Sequence, residues 1–133
     1  MPRRRSPHPT EAELEVLNVL WRRGASTVRE VHEVLQADRS TAMTTTLKIL
    51  QVMAEKGLVV VDKSGYPHRY SAAVPERKTQ SGLVKDLAHK AFSGSVQKLL
   101  MRAVEDGGLS PKELAEIRTA IDAIRRGRKG DKP

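Results

Sequence analysis

Thr41, Thr44, Thr45 and Lys48 fall in one stretch, Ser40–Lys56, whose apolar residues recur at helical spacing. Hydroxyls bond base edges and phosphates, threonine methyls pack on thymine methyls, and a lysine reaches guanine or phosphate. At 100° per residue, Thr44, Lys48, Gln51 and Glu55 share one side of such a helix, while Ala42, Thr46, Ile49, Leu50 and Met53 share the other. Thr46 points inward on this count and reads as structural. The polar face is equipped to read a DNA major groove. Threonines and a lysine are also ordinary on any solvated helix, so the residues that follow must decide between the two.

Those residues are a glycine and a hairpin. Gly57 supplies a helix stop, and two short strands are expected at Leu58–Asp62 and Tyr66–Ser71, joined by Lys63-Ser64-Gly65. A helix ended by glycine and followed at once by a hairpin is the end of a winged helix-turn-helix, with the helix as reader. Lys63 and Arg69 then lie on the wing, placed for phosphate or minor-groove contact, or simply for solubility. His68 joins them as a phosphate donor, though a plain strand residue is the simpler reading.

The helices that must position this reader have clear signals. Thr10-Glu11-Ala12-Glu13 fits a capping box, and Leu14, Leu17 and Trp21, with Val16 and Leu20 beside them, form an apolar stripe that ends at Gly24. Thr27-Val28-Arg29-Glu30 is a second capping box, opening a helix with Val28, Val31, Val34 and Leu35 on its buried face. Valines are poor helix formers, so packing must hold that helix. Ala25–Thr27 is placed to lend one short strand to the wing sheet.

Pro75 marks a boundary. Beyond it, Leu83, Val84, Leu87 and Phe92 recur at helical spacing, and Ser93-Gly94-Ser95 interrupts. Val96, Leu99 and Leu100 resume the pattern until Gly107-Gly108. Ser110-Pro111-Lys112-Glu113 combines an N-cap serine, proline at the first helical position and glutamate at the third, ahead of Leu114, Ile117, Ile121 and Ile124. These stripes are too apolar to face water and too sparse to make a core within one chain. The economical reading is a homodimer interface of Leu83, Val84, Leu87, Phe92, Val96, Leu99, Leu100, Leu114, Ile117 and Ile121.

The expected architecture is therefore mainly α with a small β-hairpin wing. It comprises a flexible basic arm (1–9), a winged helix-turn-helix (10–74), a three-helix dimerisation domain (75–125) and a basic disordered tail (126–133). Composition agrees. The chain has 133 residues, only 3% aromatic, so its core must be aliphatic and modest. A piece of about 60 residues buries only about 60% of its unfolded surface, which favours dimerisation. The net charge of +8 attracts polyanions, nucleic acid first. It is spread out: residues 1–75 hold 11 basic and 8 acidic residues, and residues 76–133 hold 13 and 8. Arg3–Arg5 and Arg125–Lys132 supply much of the excess, either to embrace DNA or to solubilise the ends.

Other classes are poorly supported. There is no cysteine, which excludes disulfides and thiolate-bound zinc and fits a reducing cytoplasm. His8, His32, His68 and His89 are scattered without ligand spacing, so no metal or other cofactor is expected. No nucleophile–base–orienter set is present, so an enzyme is not expected. No apolar run approaches the roughly 18–20 residues that span a bilayer. RNA binding would want exposed stacking aromatics, whereas Trp21, Tyr66, Tyr70 and Phe92 all read as structural. The alternative from another class is a winged-helix protein-interaction module that does not bind DNA; a hydroxylic reader face with Lys48 argues against it.

The runs Glu13–Trp21 and Ala25–Leu35, then Thr44-Thr45, Leu50, Lys56-Gly57-Leu58-Val59 and His68-Arg69-Tyr70, resemble the penicillinase-repressor (BlaI/MecI-like) family. Phe92–Val96 and Leu109–Leu114 match its C-terminal half. The resemblance covers residues 10–124. It implies a homodimeric, cytoplasmic transcriptional repressor on a palindromic double-stranded operator with TACA/TGTA-type half-sites, controlling β-lactam or cell-envelope stress genes. It also implies inactivation by a regulatory protease cutting in the fifth helix. By position that bond is Arg102–Ala103, which lacks the family's preferred Asn–Phe pair. The family's copper-responsive members use a cysteine motif that this chain lacks.

Overall fold

The computed structural model describes residues 8–36 and 42–131. The expected reader Thr41 and the arm residues Arg3–Arg5 lie outside the described residues.

The first helix, α1, spans Glu11–Arg23. Its capping box is complete: Glu13 N donates to Thr10 Oγ1 at 3.2 Å, and Thr10 N donates to Glu13 Oε1 at 2.9 Å. The helix stops at Gly24, whose φ of 84° suits a residue without Cβ. Helix α2, Val28–Gln36, opens in the same way, with Thr27 and Glu30 exchanging bonds of 2.9 and 3.2 Å.

Helix α3 spans Met43–Lys56, with Ala42 at its N-cap, slightly later than the Ser40–Thr41 start expected from the pattern. Gly57 adopts the left-handed conformation (φ 82°, ψ 15°) and donates its N–H to the helix's last carbonyls. The Leu58 amide bonds Met53 O at 2.9 Å, so the chain turns at once into strand β1, Val59–Asp62.

Strand β2 is Arg69–Ala72, antiparallel to β1 with Val61 opposite Tyr70 and Asp62 opposite Arg69. It begins three residues later than the expected Tyr66. Pro67 has no N–H to give a ladder, so Tyr66–His68 joins the wing tip instead. The expected third strand is present as one bridge, with Ser26 and Tyr70 exchanging backbone bonds of 2.9 and 2.7 Å.

The core is aliphatic apart from Tyr70. Val16, Leu17, Val19 and Leu20 of α1, Val31 of α2, Leu50 and Met53 of α3, Val59 of β1 and Tyr70 of β2 form one buried cluster. Trp21 closes its edge, donating its indole N–H to Val74 O at 2.9 Å.

Three further helices follow: α4 (Glu76–Ala91), α5 (Val96–Glu105) and α6 (Pro111–Asp131). Ser93 and Gly94, both at positive φ, break α4 from α5, and the Ser110–Glu113 capping box opens α6. The helix runs to Asp131, so the tail expected to be disordered from residue 126 is helical that far: no proline interrupts it, and Gly127 lies within the helix without ending it. The chain divides into two compact units, residues 1–83 and 84–133, with the division inside α4 instead of at Pro75.

Within the second unit, apolar side chains remain in water. Val84, Leu87, Val96, Leu100, Met101, Leu114, Ile121 and Ile124 are 39–57% exposed. Phe92, Leu99 and Ile117 are half-buried, as is Leu83 at the end of the first unit.

Candidate nucleic-acid interface

Helix α3 is held from three sides. Thr46, Leu50 and Met53 are fully buried. Thr46 is a polar residue in that face, and its hydroxyl is satisfied by His32 Nδ1 of α2 at 3.0 Å. A buried hydroxyl without a partner costs about 1–3 kcal/mol, so this pair ties α2 to α3 at one setting. The sequence shows His32 only as an isolated histidine; nothing in its spacing announces the bond. At the far end of α3, Lys56 Nζ reaches Glu13 Oε2 of α1 at 2.7 Å. Burial pushes the Glu13 carboxyl up, but the Lys56 ammonium and the Thr10 amide outweigh it and hold the group below its ordinary 4.5.

With that face fixed, Thr44, Thr45, Lys48, Gln51 and Glu55 are all exposed. The expected readers divide between two clefts. Thr45 and Lys48 border a cleft of about 180 Å³ shared with Ala12 of α1 and its N-cap Thr10. Thr44 borders a larger notch of about 550 Å³ between α3, the start of α2 and the wing tip, shared with Arg29, Met43, Leu47, Tyr66 and His68.

The wing tip is shaped by Asp62, whose Oδ1 accepts the Ser64 amide at 2.9 Å. The Ser64 hydroxyl and amide hold Asp62 below its ordinary value, with Arg69 and His68 adding to the effect. Lys63 is exposed at the tip. Arg69 is more than half exposed but leans on Glu30, 3.7 Å away, so it is partly engaged in the fold. Glu30 also takes Arg23 at 3.2 Å, and the Thr27 amide, foremost, with Arg23 and Arg69 behind it, keeps this carboxyl low. His68 is half-buried, its ring edge-on to Tyr66 with centroids 5.7 Å apart. Tyr66 itself is 92% exposed, which corrects the structural role expected for it. Its place beside Pro67, outside the strand, is what removes it from the core.

A family model, the penicillinase repressor, matches residues 9–123. The chain belongs to the penicillinase repressor family. It is thus a DNA-binding transcriptional repressor. The transcriptional regulator BlaI of Mycobacterium tuberculosis is 36% identical to this repressor over 125 residues, covering 92% of this chain and 88% of its own. The methicillin resistance regulatory protein MecI of Staphylococcus aureus is 23% identical over 113 residues, covering 85% and 92% respectively. In fold, the repressor is similar to a MarR family protein from Bacillus stearothermophilus, with a TM-score of 0.50 at 19% identity, over 93% of this chain and 77% of that one. Among the described residues, no helix is long and apolar enough to cross a membrane, and no three His, Cys, Asp or Glu side chains group to hold a metal ion.

Proposed function

We propose that the repressor works as a homodimer in which each winged helix grips one half-site of a palindromic operator of TACA/TGTA type. The observation that carries this is the division of α3 into a fully buried Thr46–Leu50–Met53 face and an exposed face of hydroxyls and Lys48. Thr44, Thr45 and Lys48, with Thr41 ahead of them, read base edges. Lys63, His68 and Arg69 hold the backbone from the wing. Such contacts set register and add salt-dependent affinity without reading sequence.

The helical unit joins the two readers. Support comes from the exposed Val84, Leu87, Val96, Leu100, Leu114 and Ile121. That much apolar side chain in about 50 residues is costly in water, and a second copy covers it most simply. A cut at Arg102–Ala103 would interrupt this unit within α5. Both residues are exposed on the helix, with Arg102 beside Glu105 and Asp106 at about 4 Å. A protease must still unwind a helical turn there. The genes governed are those of β-lactam or cell-envelope stress.

The test is Lys48→Ala in binding to a TACA/TGTA duplex and a scrambled one. A good base contact contributes about 1–3 kcal/mol of discrimination, and a dimer makes it twice. The variant should lose affinity for the TACA/TGTA duplex and keep its weak binding to the scrambled one. Equal behaviour of variant and wild type on both duplexes would remove α3 as the reader.

A further inference from the structure

The wing tip holds a feature that neither base reading nor simple phosphate steering uses. Tyr66 is almost wholly exposed, yet its ring is braced edge-on by His68 and forms one wall of the 550 Å³ notch. From α3, Met43, 41% exposed, and Leu47, half-buried, also line it. Pro67 and Val28 add to a mostly apolar lining. Arg29 and His68 also line it, and no carboxylate is among the described residues that do.

A surface built to meet phosphates alone would be polar throughout. This one joins apolar side chains to the Arg29 guanidinium and the His68 imidazole. The sugar–phosphate backbone is mixed in the same way, with an apolar deoxyribose face between charged groups. We propose that the notch seats one strand of the DNA backbone as it passes from the reading helix to the wing. Tyr66 and Met43 pack on the deoxyribose, and Arg29 and His68 take the flanking phosphates. The proposal rests on the DNA-reading role of α3, with which the notch is continuous through Thr44. Tyr66 and Met43 are then affinity residues that carry no sequence information.

The experiment uses the full-length chain with Tyr66→Ala, Tyr66→Phe, Met43→Ala and Arg29→Gln. Titrations on the TACA/TGTA and scrambled duplexes across a salt series are joined by hydroxyl-radical footprinting at saturating protein. Tyr66→Ala should weaken both duplexes by the same factor, about tenfold, with an unchanged salt slope. It should also re-expose a few sugars beside each half-site that the wild type protects. Tyr66→Phe should behave as wild type, because the ring does the packing, and Met43→Ala should show the Tyr66→Ala pattern more weakly. Arg29→Gln should instead flatten the salt slope by about one unit per bound protomer. Wild-type affinity and footprint in Tyr66→Ala would overturn the proposal. So would a loss confined to the TACA/TGTA duplex, which would make Tyr66 a base reader. A sedimentation change without a DNA effect would also overturn it by assigning the notch to protein contact. If the wild type itself fails to distinguish the duplexes, the reading role of α3 has failed instead.

Discussion

The ion pair between Glu13 and Lys56 fixes where α3 stands, and its two ends are buried unequally. The Glu13 side chain is 6% exposed and that of Lys56 26%. Replacing Glu13 by alanine removes the carboxylate that caps Thr10 N, worth about 1 kcal/mol. It also removes a charge-assisted bond worth about 1.5–3 kcal/mol, partly recovered because Lys56 can turn to water. The expected cost is about 2 kcal/mol, or roughly 10 °C in Tm for a unit of this size. Lys56→Met should cost as much or more, about 2–3 kcal/mol, because the charge left behind is the buried one.

The pH dependence separates the two variants. In the wild type the Glu13 pKa is lowered from 4.5, so its contribution is full above about pH 4.5 and is lost as pH falls through the folded value. In Lys56→Met, burial is opposed only by the Thr10 bonds, so the carboxyl rises and the deficit against wild type should shrink toward acid. Urea melts followed by the fluorescence of Trp21, the single tryptophan, at fixed protein concentration and several pH values measure both quantities. A midpoint for Glu13→Ala equal to that of wild type would refute the reasoning. A Lys56→Met deficit that grows as pH falls would refute it equally.

Three further outcomes are expected. Lys63→Ala should weaken binding to every duplex alike and reduce the salt slope by about one unit per bound protomer, as fluorescence anisotropy across a salt series will show. Leu87→Asp with Leu100→Asp should leave a folded monomer in sedimentation at micromolar concentration, with operator affinity lowered by about 10²–10⁴ through lost avidity; dimers of unchanged mass would reject the helical interface. If a protease relieves repression, mass spectrometry of cells treated with β-lactams should show a cut within Leu99–Glu105, and derepression with the chain intact would reject that route.

The capping boxes at Thr10, Thr27 and Ser110 were legible in the sequence because each is a bond between residues three apart, and such bonds depend little on the rest of the fold. The inward and outward faces of α3 were legible because a fixed turn per residue turns spacing into direction. The Gly57 stop followed the same logic, since only a left-handed residue can turn α3 so abruptly into β1. Local rules placed these elements within a few residues, missing where Pro67 delays β2 and where α6 runs on through Gly127.

What only the tertiary structure decided are the meetings of residues distant in the chain. His32 with Thr46, Lys56 with Glu13, and Arg69 with Glu30 are side-chain encounters between separate elements, and no periodicity encodes which long side chain will find which partner. The division of the proposed readers into two clefts is of the same kind, because it depends on where α1 and the wing flank α3. Tyr66 is the clearest case. By composition an aromatic belongs in the core, but a core position is a matter of packing in three dimensions, and here the ring stands in water at the rim of the notch.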